Sequence, residues 1–159
     1  YGTPSYIYSK NYLISQIIKF KNAFSNIEAL ICYSVKANSN LSILNIINKQ
    51  GYGADVVSEG ELRASILAGF SPRMIVFAGV GKKKEEIELG IKKDIYCFNI
   101  ENEDELSYIE KYGKKGLTFQ LCREKTFCFY QDPKNRKICR SAKDCLKKLL
   151  VEDGLIWVM

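Results

Sequence analysis

Histidine is absent from the 159 residues, which removes imidazole from any metal site that the six cysteines could build. Those cysteines follow no regular spacing, no apolar run is long enough to span a bilayer, and no secretory leader precedes the first motif. The pattern argues against a disulfide framework and predicts free thiols in a reducing compartment, the cytoplasm. A concentrated basic face is also missing. The net charge is +6, but the segment from Thr118 onward holds nine Lys and Arg against five Asp and Glu, so +4 of the excess sits there and the rest is close to neutral. Neither nucleic acid nor a membrane surface is therefore expected as a partner, and the Lys134 to Arg140 cluster reads as a solvated basic stretch.

With 47% hydrophobic and 26% charged residues, the chain has enough apolar mass for one globular core. Between Ala29 and Gly113 strand-like and helix-like runs alternate. The strand candidates are Leu30 to Val35, Ala54 to Val57, Met74 to Ala78 and Ile95 to Ile100, starting about 20 to 24 residues apart, the interval of βα units in a parallel sheet. Helices are punctuated between them. Asn40 precedes an apolar 3–4 pattern that stops at Gly51; Ser58-Glu59-Gly60-Glu61 has the form of a capping box and its helix stops at Gly69; Asn102 with Glu105 opens a third that stops at Gly113. Upstream, Pro4 to Tyr8 reads as a short strand, and Ser9 as the cap of an amphipathic helix through Leu13, Ile17 and Phe20. Downstream of Gly116 the rhythm breaks, and Thr118 to Met159 shows no strand where a fifth is due and only a possible short helix around Cys145 to Val151. Such a rhythm predicts an α/β fold of the (β/α) barrel type.

Lys36 is the residue to explain, because it closes the apolar run Ala29 to Val35 with a cation. A barrel assembles its active site at the carboxyl ends of its strands, where burial would favour a neutral amine able to attack an aldehyde. A lysine that snorkels from a strand end is the competing structural reading. Glu61 is explained as the third residue of its capping box, Ser58 as a cap that can also face the barrel mouth, and Asn38 as a turn residue that can order that mouth. Gly79-Val80-Gly81-Lys82 lacks the spacing of a nucleotide loop and reads as a glycine turn between strand and helix. Cys122, Cys128, Cys139 and Cys145 are too irregular for a zinc ribbon.

Five ordered segments resemble the fold III family of pyridoxal phosphate enzymes, and within it the diaminopimelate decarboxylases. They are Tyr1-Gly2-Thr3-Pro4 with Tyr6-Ile7-Tyr8, Tyr33-Ser34-Val35-Lys36-Ala37-Asn38, Gly53-Ala54-Asp55-Val56-Val57-Ser58-Glu59-Gly60-Glu61-Leu62, Phe77-Ala78-Gly79-Val80-Gly81-Lys82 and Phe98-Asn99-Ile100-Glu101-Asn102-Glu103. The resemblance implies pyridoxal 5'-phosphate as cofactor, held by Lys36 as a Schiff base, with Asp55 as the acidic neighbour and Asn38 and Ser58 beside it. It further implies decarboxylation of meso-diaminopimelate to L-lysine in lysine biosynthesis, a small amino acid as partner and a homodimer. Ornithine, arginine or carboxynorspermidine decarboxylation, or a non-catalytic chain that only carries the cofactor, are the alternatives.

A full (β/α)8 barrel takes about 250 residues, so the resemblance implies roughly the amino-terminal half of one, residues 1–117. In the family the phosphate-binding glycine loop, the glutamate at the pyridine nitrogen, the histidine beneath the ring and the substrate arginines lie further on. Residues 118–159 are expected to be a non-family tail, frameshifted or disordered, and the chain alone to be inactive.

Overall fold

The computed structural model describes residues 1–26, 29–113, 118–121 and 154–158. Helix α1 (Lys10–Ala23) precedes a repeating βα series: β1 (Ala29–Ser34), α2 (Leu41–Lys49), β2 (Gly53–Val56), α3 (Glu59–Leu67), β3 (Ile75–Phe77), α4 (Lys84–Lys93), β4 (Cys97–Ile100), α5 (Glu103–Tyr112) and β5 (Thr118–Leu121), with β6 (Gly154–Val158) last. The strands form one six-stranded sheet in the order β5-β4-β3-β2-β1-β6, and every neighbouring pair is parallel. From β1 to β5 each strand reaches its neighbour through a single helix, which is the repeat of a (β/α)8 barrel in its amino-terminal part.

Because side chains alternate across a strand, the sheet has two differently packed faces. On the helix-covered face Ala54, Val56, Ile75, Phe77, Phe98 and Ile100 join Leu44, Ile47, Leu62, Ile87, Ile91 and Ile109 in the main core. Phe77 and Phe98 stack there with centroids 6.0 Å apart. The inner face carries a smaller cluster of Cys32, Val76 and Cys97, with Leu30 and Tyr96 against it. Both strand cysteines thus fill apolar positions, and burial pushes the Cys32 thiol up to about 12.

The junctions at the carboxyl ends of the strands are tied by glutamates at the third position of three successive helices. Glu61 Oε2 accepts from the Val57 amide (2.9 Å), Glu86 Oε2 from the Lys83 amide (2.9 Å) and Glu105 Oε2 from the Glu101 amide (3.1 Å). Two of them also reach back to the preceding unit. Glu86 Oε1 accepts from the Glu59 amide at the start of α3 (2.9 Å). Glu105 pairs with Lys82, whose ammonium lies 2.9 Å from Oε2 and also donates to the Gly79 carbonyl (2.7 Å), with both side chains buried. Gly79 itself must be glycine, since a Cβ there would overlap the Val57 carbonyl oxygen.

Four strand positions and the capped helix starts agree with the sequence expectations, and Gly51 and Gly69 take the left-handed φ values of +79° and +100° that end α2 and α3. Two expectations are corrected. Pro4 to Tyr8 is not a strand: β2 and β6 occupy the two edges of β1, and Tyr6 and Ile7 remain exposed. A fifth strand does follow Gly116, for Thr118–Leu121 pairs with Cys97–Ile100 in the parallel ladder. Its four residues are too short an apolar run to stand out by composition, and pairing with β4 defines it. The helix expected around Cys145 to Val151, the four downstream cysteines and the Lys134 to Arg140 cluster lie outside the described residues.

Replacing Lys82 by Met leaves the Glu105 carboxylate buried without its cation, and is expected to cost about 3–5 kcal/mol in denaturant unfolding. The double variant Lys82→Met/Glu105→Gln, which removes the charge but keeps an acceptor oxygen, is expected to recover part of that loss.

Candidate active site at the carboxyl ends of the strands

Lys36 lies in a single 3-10 turn, Val35–Ala37, directly after β1. Ser34 ends the strand with extended backbone, and Asn38 returns the chain to extended geometry before α2 begins. The expected burial of Lys36 does not hold. Lys36 is exposed while Val35 beside it is fully buried. A short polar net holds the turn in place: Asn38 Nδ2 donates to the Tyr8 hydroxyl (3.1 Å), Asn38 Oδ1 accepts from the Asn40 amide (3.0 Å), and the Tyr33 hydroxyl donates to the Asn38 carbonyl (3.4 Å). Asn40 then caps α2 through the Ser42 amide (2.9 Å).

Asp55 is at the centre of β2, and the parallel register sets it directly beside Ser34 of β1 and Val76 of β3. It shares the inner face with Cys32 and Val76, and only 8% of it is exposed. Burial raises its carboxyl from the usual 3.8 to about 6; the Ser34 hydroxyl and the Lys36 charge pull the other way, and the Glu61 charge adds to the rise. The Lys36 charge is thus one of the influences on the Asp55 carboxyl, smaller than burial.

The inner face carries more polarity than the sequence suggested. Ser34 Oγ, Asp55 Oδ1 and Asn99 Oδ1 are all buried and have no hydrogen-bond partner among the described residues. Ser34 is close enough to Asp55 to favour its charged form without reaching hydrogen-bond geometry. Asn99, two positions beyond Cys97 on β4, belongs to the same face by alternation. Ser34 and Asn99 are thus buried polar residues of that face that the sequence reading did not single out. The signal was a polar residue at the inward parity of two otherwise apolar strands, visible only once that parity is known.

Ser58 and Glu61 sit at the start of α3. Ser58 Oγ accepts from the Glu61 amide (3.3 Å) as a helix cap, while Glu61 closes the box one residue further back, at the Val57 amide. Ser58 is half-buried, so its hydroxyl is near the rim but already serves the helix. Among the described residues no His, Cys, Asp and Glu group is arranged to hold a metal ion, and no helix is long and apolar enough to cross a membrane.

A family model described as pyridoxal-dependent decarboxylase, pyridoxal binding domain, matches residues 10–124, past the expected division at Leu117 and through β5. A diaminopimelate decarboxylase of Pseudomonas fluorescens is 44% identical over 106 residues, covering 67% of this chain and 26% of its own length. One from Vibrio cholerae is 44% identical over 118 residues, covering 74% and 28%. The crystal structure of diaminopimelate decarboxylase from Helicobacter pylori complexed with L-lysine superposes with a TM-score of 0.74 at 36% identity, over 94% of this chain and 40% of that one. The chain spans about a quarter of the length of the curated relatives it matches.

Asp55 sets a pH dependence whose sign follows from its raised pKa. The folded state holds a proton that the unfolded state has released, so the contribution is present at low pH and lost as pH rises from about 4 through about 6. Denaturant midpoints measured across that window are expected to fall more in the wild-type chain than in Asp55→Asn, and parallel profiles would contradict this.

Proposed function

The chain belongs to the pyridoxal-dependent decarboxylases through their pyridoxal binding domain, and from that premise we propose that Lys36 holds pyridoxal 5'-phosphate for the decarboxylation of meso-diaminopimelate to L-lysine. The observation that carries this reading is the exposed Lys36 amine placed at the end of β1 and coupled to a buried Asp55 with an unpartnered oxygen. An aldehyde-bearing cofactor would fit that pair: a lysine to bind its carbonyl carbon, and a nearby carboxyl that can hold a proton. When bound, the cofactor supplies the electron sink that lets a carboxylate leave as carbon dioxide.

This chain's residues divide the remaining work. Lys36 Nζ would be the residue that holds the cofactor's aldehyde carbon, and its amine would be the group released for an incoming amino acid. Above about pH 6 Asp55 is anionic and offers the displaced amine a counter-charge; below it, Asp55 carries the proton itself. Asn38 fixes the turn that aims Lys36, through Tyr8, Tyr33 and Asn40. Ser58, at the start of α3, contributes a hydroxyl to the same rim. The names of the relatives favour diaminopimelate over ornithine or arginine as substrate. As an amino-acid biosynthetic enzyme with buried thiols, the protein suits the cytoplasm, with a homodimer as the working assembly.

Titration of the chain with pyridoxal phosphate is expected to give one stoichiometric adduct that borohydride fixes and peptide mass spectrometry assigns to Lys36. Lys36→Ala is expected to lose it. Because the chain spans about a quarter of its relatives' length, no carbon dioxide is expected from meso-diaminopimelate with this chain alone. Equal labelling of other surface lysines in wild type and Lys36→Ala would sink the proposal.

A further inference from the structure

Burying a polar atom without a partner costs about 1–3 kcal/mol, and native interiors hold few such atoms. Here three, Ser34 Oγ, Asp55 Oδ1 and Asn99 Oδ1, occur on one face of one sheet. The placement is not scattered. Ser34 is 2%, Asp55 8% and Asn99 5% exposed; Ser34 and Asp55 lie level with Val76 and Cys97 in the parallel register, and Asn99 lies two residues further along β4, so the three sit within and just beyond the apolar layer of Cys32, Val76 and Cys97. Apolar residues of similar size would continue that layer, as they do on the opposite face at Val56, Phe77 and Ile100.

We propose that Ser34 and Asn99, together with Asp55, form a polar floor that the chain keeps at the expense of its own stability in order to bind the cofactor. The inference rests on the cofactor reading above and extends it to two residues outside the Lys36 turn. Asp55 Oδ1 and Asn99 Oδ1 accept hydrogen bonds and Ser34 Oγ can do either, so the floor is built to receive O–H or N–H donors from the bound cofactor or from water retained beneath it. Lys36, at the rim, fixes the cofactor over that floor. Ser34 and Asp55 face each other across the register, yet neither Ser34 Oγ nor Asp55 Oδ1 closes a hydrogen bond among the described residues.

The test separates stability from binding. Ser34→Ala removes one hydroxyl and Asn99→Leu one amide, each taking away an unpartnered oxygen, and the cofactor-free variants are expected to melt about 2–4 °C higher than wild type. The same variants are expected to bind pyridoxal phosphate about 3- to 10-fold more weakly in absorbance titrations, the loss of one hydrogen bond. Lower melting of both variants would show that the polarity is structural and overturn the inference. So would unchanged affinity, whatever the melting temperatures. If the wild-type chain forms no adduct at Lys36, the cofactor reading itself fails and the floor falls with it.

Discussion

The pairing of Ser34 with Asp55 across β1 and β2 is the constraint on which the candidate site depends. In a sheet whose two faces differ so strongly, a slip of one residue would send Asp55 into the helix-packed core and Val56 to the inner face. Phe77 and Phe98 resist that slip from the other side, because their stack fills the space beneath α4 so closely that Gly90 has no room for a Cβ against Phe98. The apolar core thereby fixes the register, and the register places the polar groups. Lys36 follows Ser34 by two residues, in the single turn that leaves the carboxyl end of β1.

The rim is braced unevenly. The second, third and fourth βα units are each tied by a glutamate in the first turn of the helix, and two of these glutamates reach the preceding unit. The first unit, which carries Lys36, has Ile43 at the corresponding helix position and uses the neutral amides of Asn38 and Asn40 instead. A carboxylate there would add a fixed negative charge beside the lysine; amides hold the turn without one. The unit that carries Lys36 is thus the one whose bracing is uncharged.

Much of the fold was legible because it is local. The βα interval, the capping residues Ser9, Asn40, Ser58 and Asn102, and the glycines after α2 and α3 are short-range features, and each marks an element that forms. Lys36 was legible as well, since a cation ending an apolar strand has few explanations. Asp55 stood out by motif, but its burial did not, because whether an aspartate in a strand faces solvent or the inner face depends on which parity faces the helices. Ser34 and Asn99 were hidden for the same reason. β5 was missed because four residues carry too weak a pattern to be read without the strand they pair with. The exposure of Lys36 also escaped prediction, since it follows from a one-turn 3-10 segment where strand geometry was assumed.

The order of elements, their caps and the choice of lysine as the reactive candidate were thus written in the amino-acid sequence, because propensity and capping act over a few residues. Only the tertiary structure decided which strand parity faces inward, and with it that Ser34, Asp55 and Asn99 share one buried face below Lys36. Ser34 and Asp55 are one βα unit apart and Asn99 two units further on, so no local interaction relates them. Parallel pairing brings them together, and the packing of the opposite face makes that pairing the one the chain adopts.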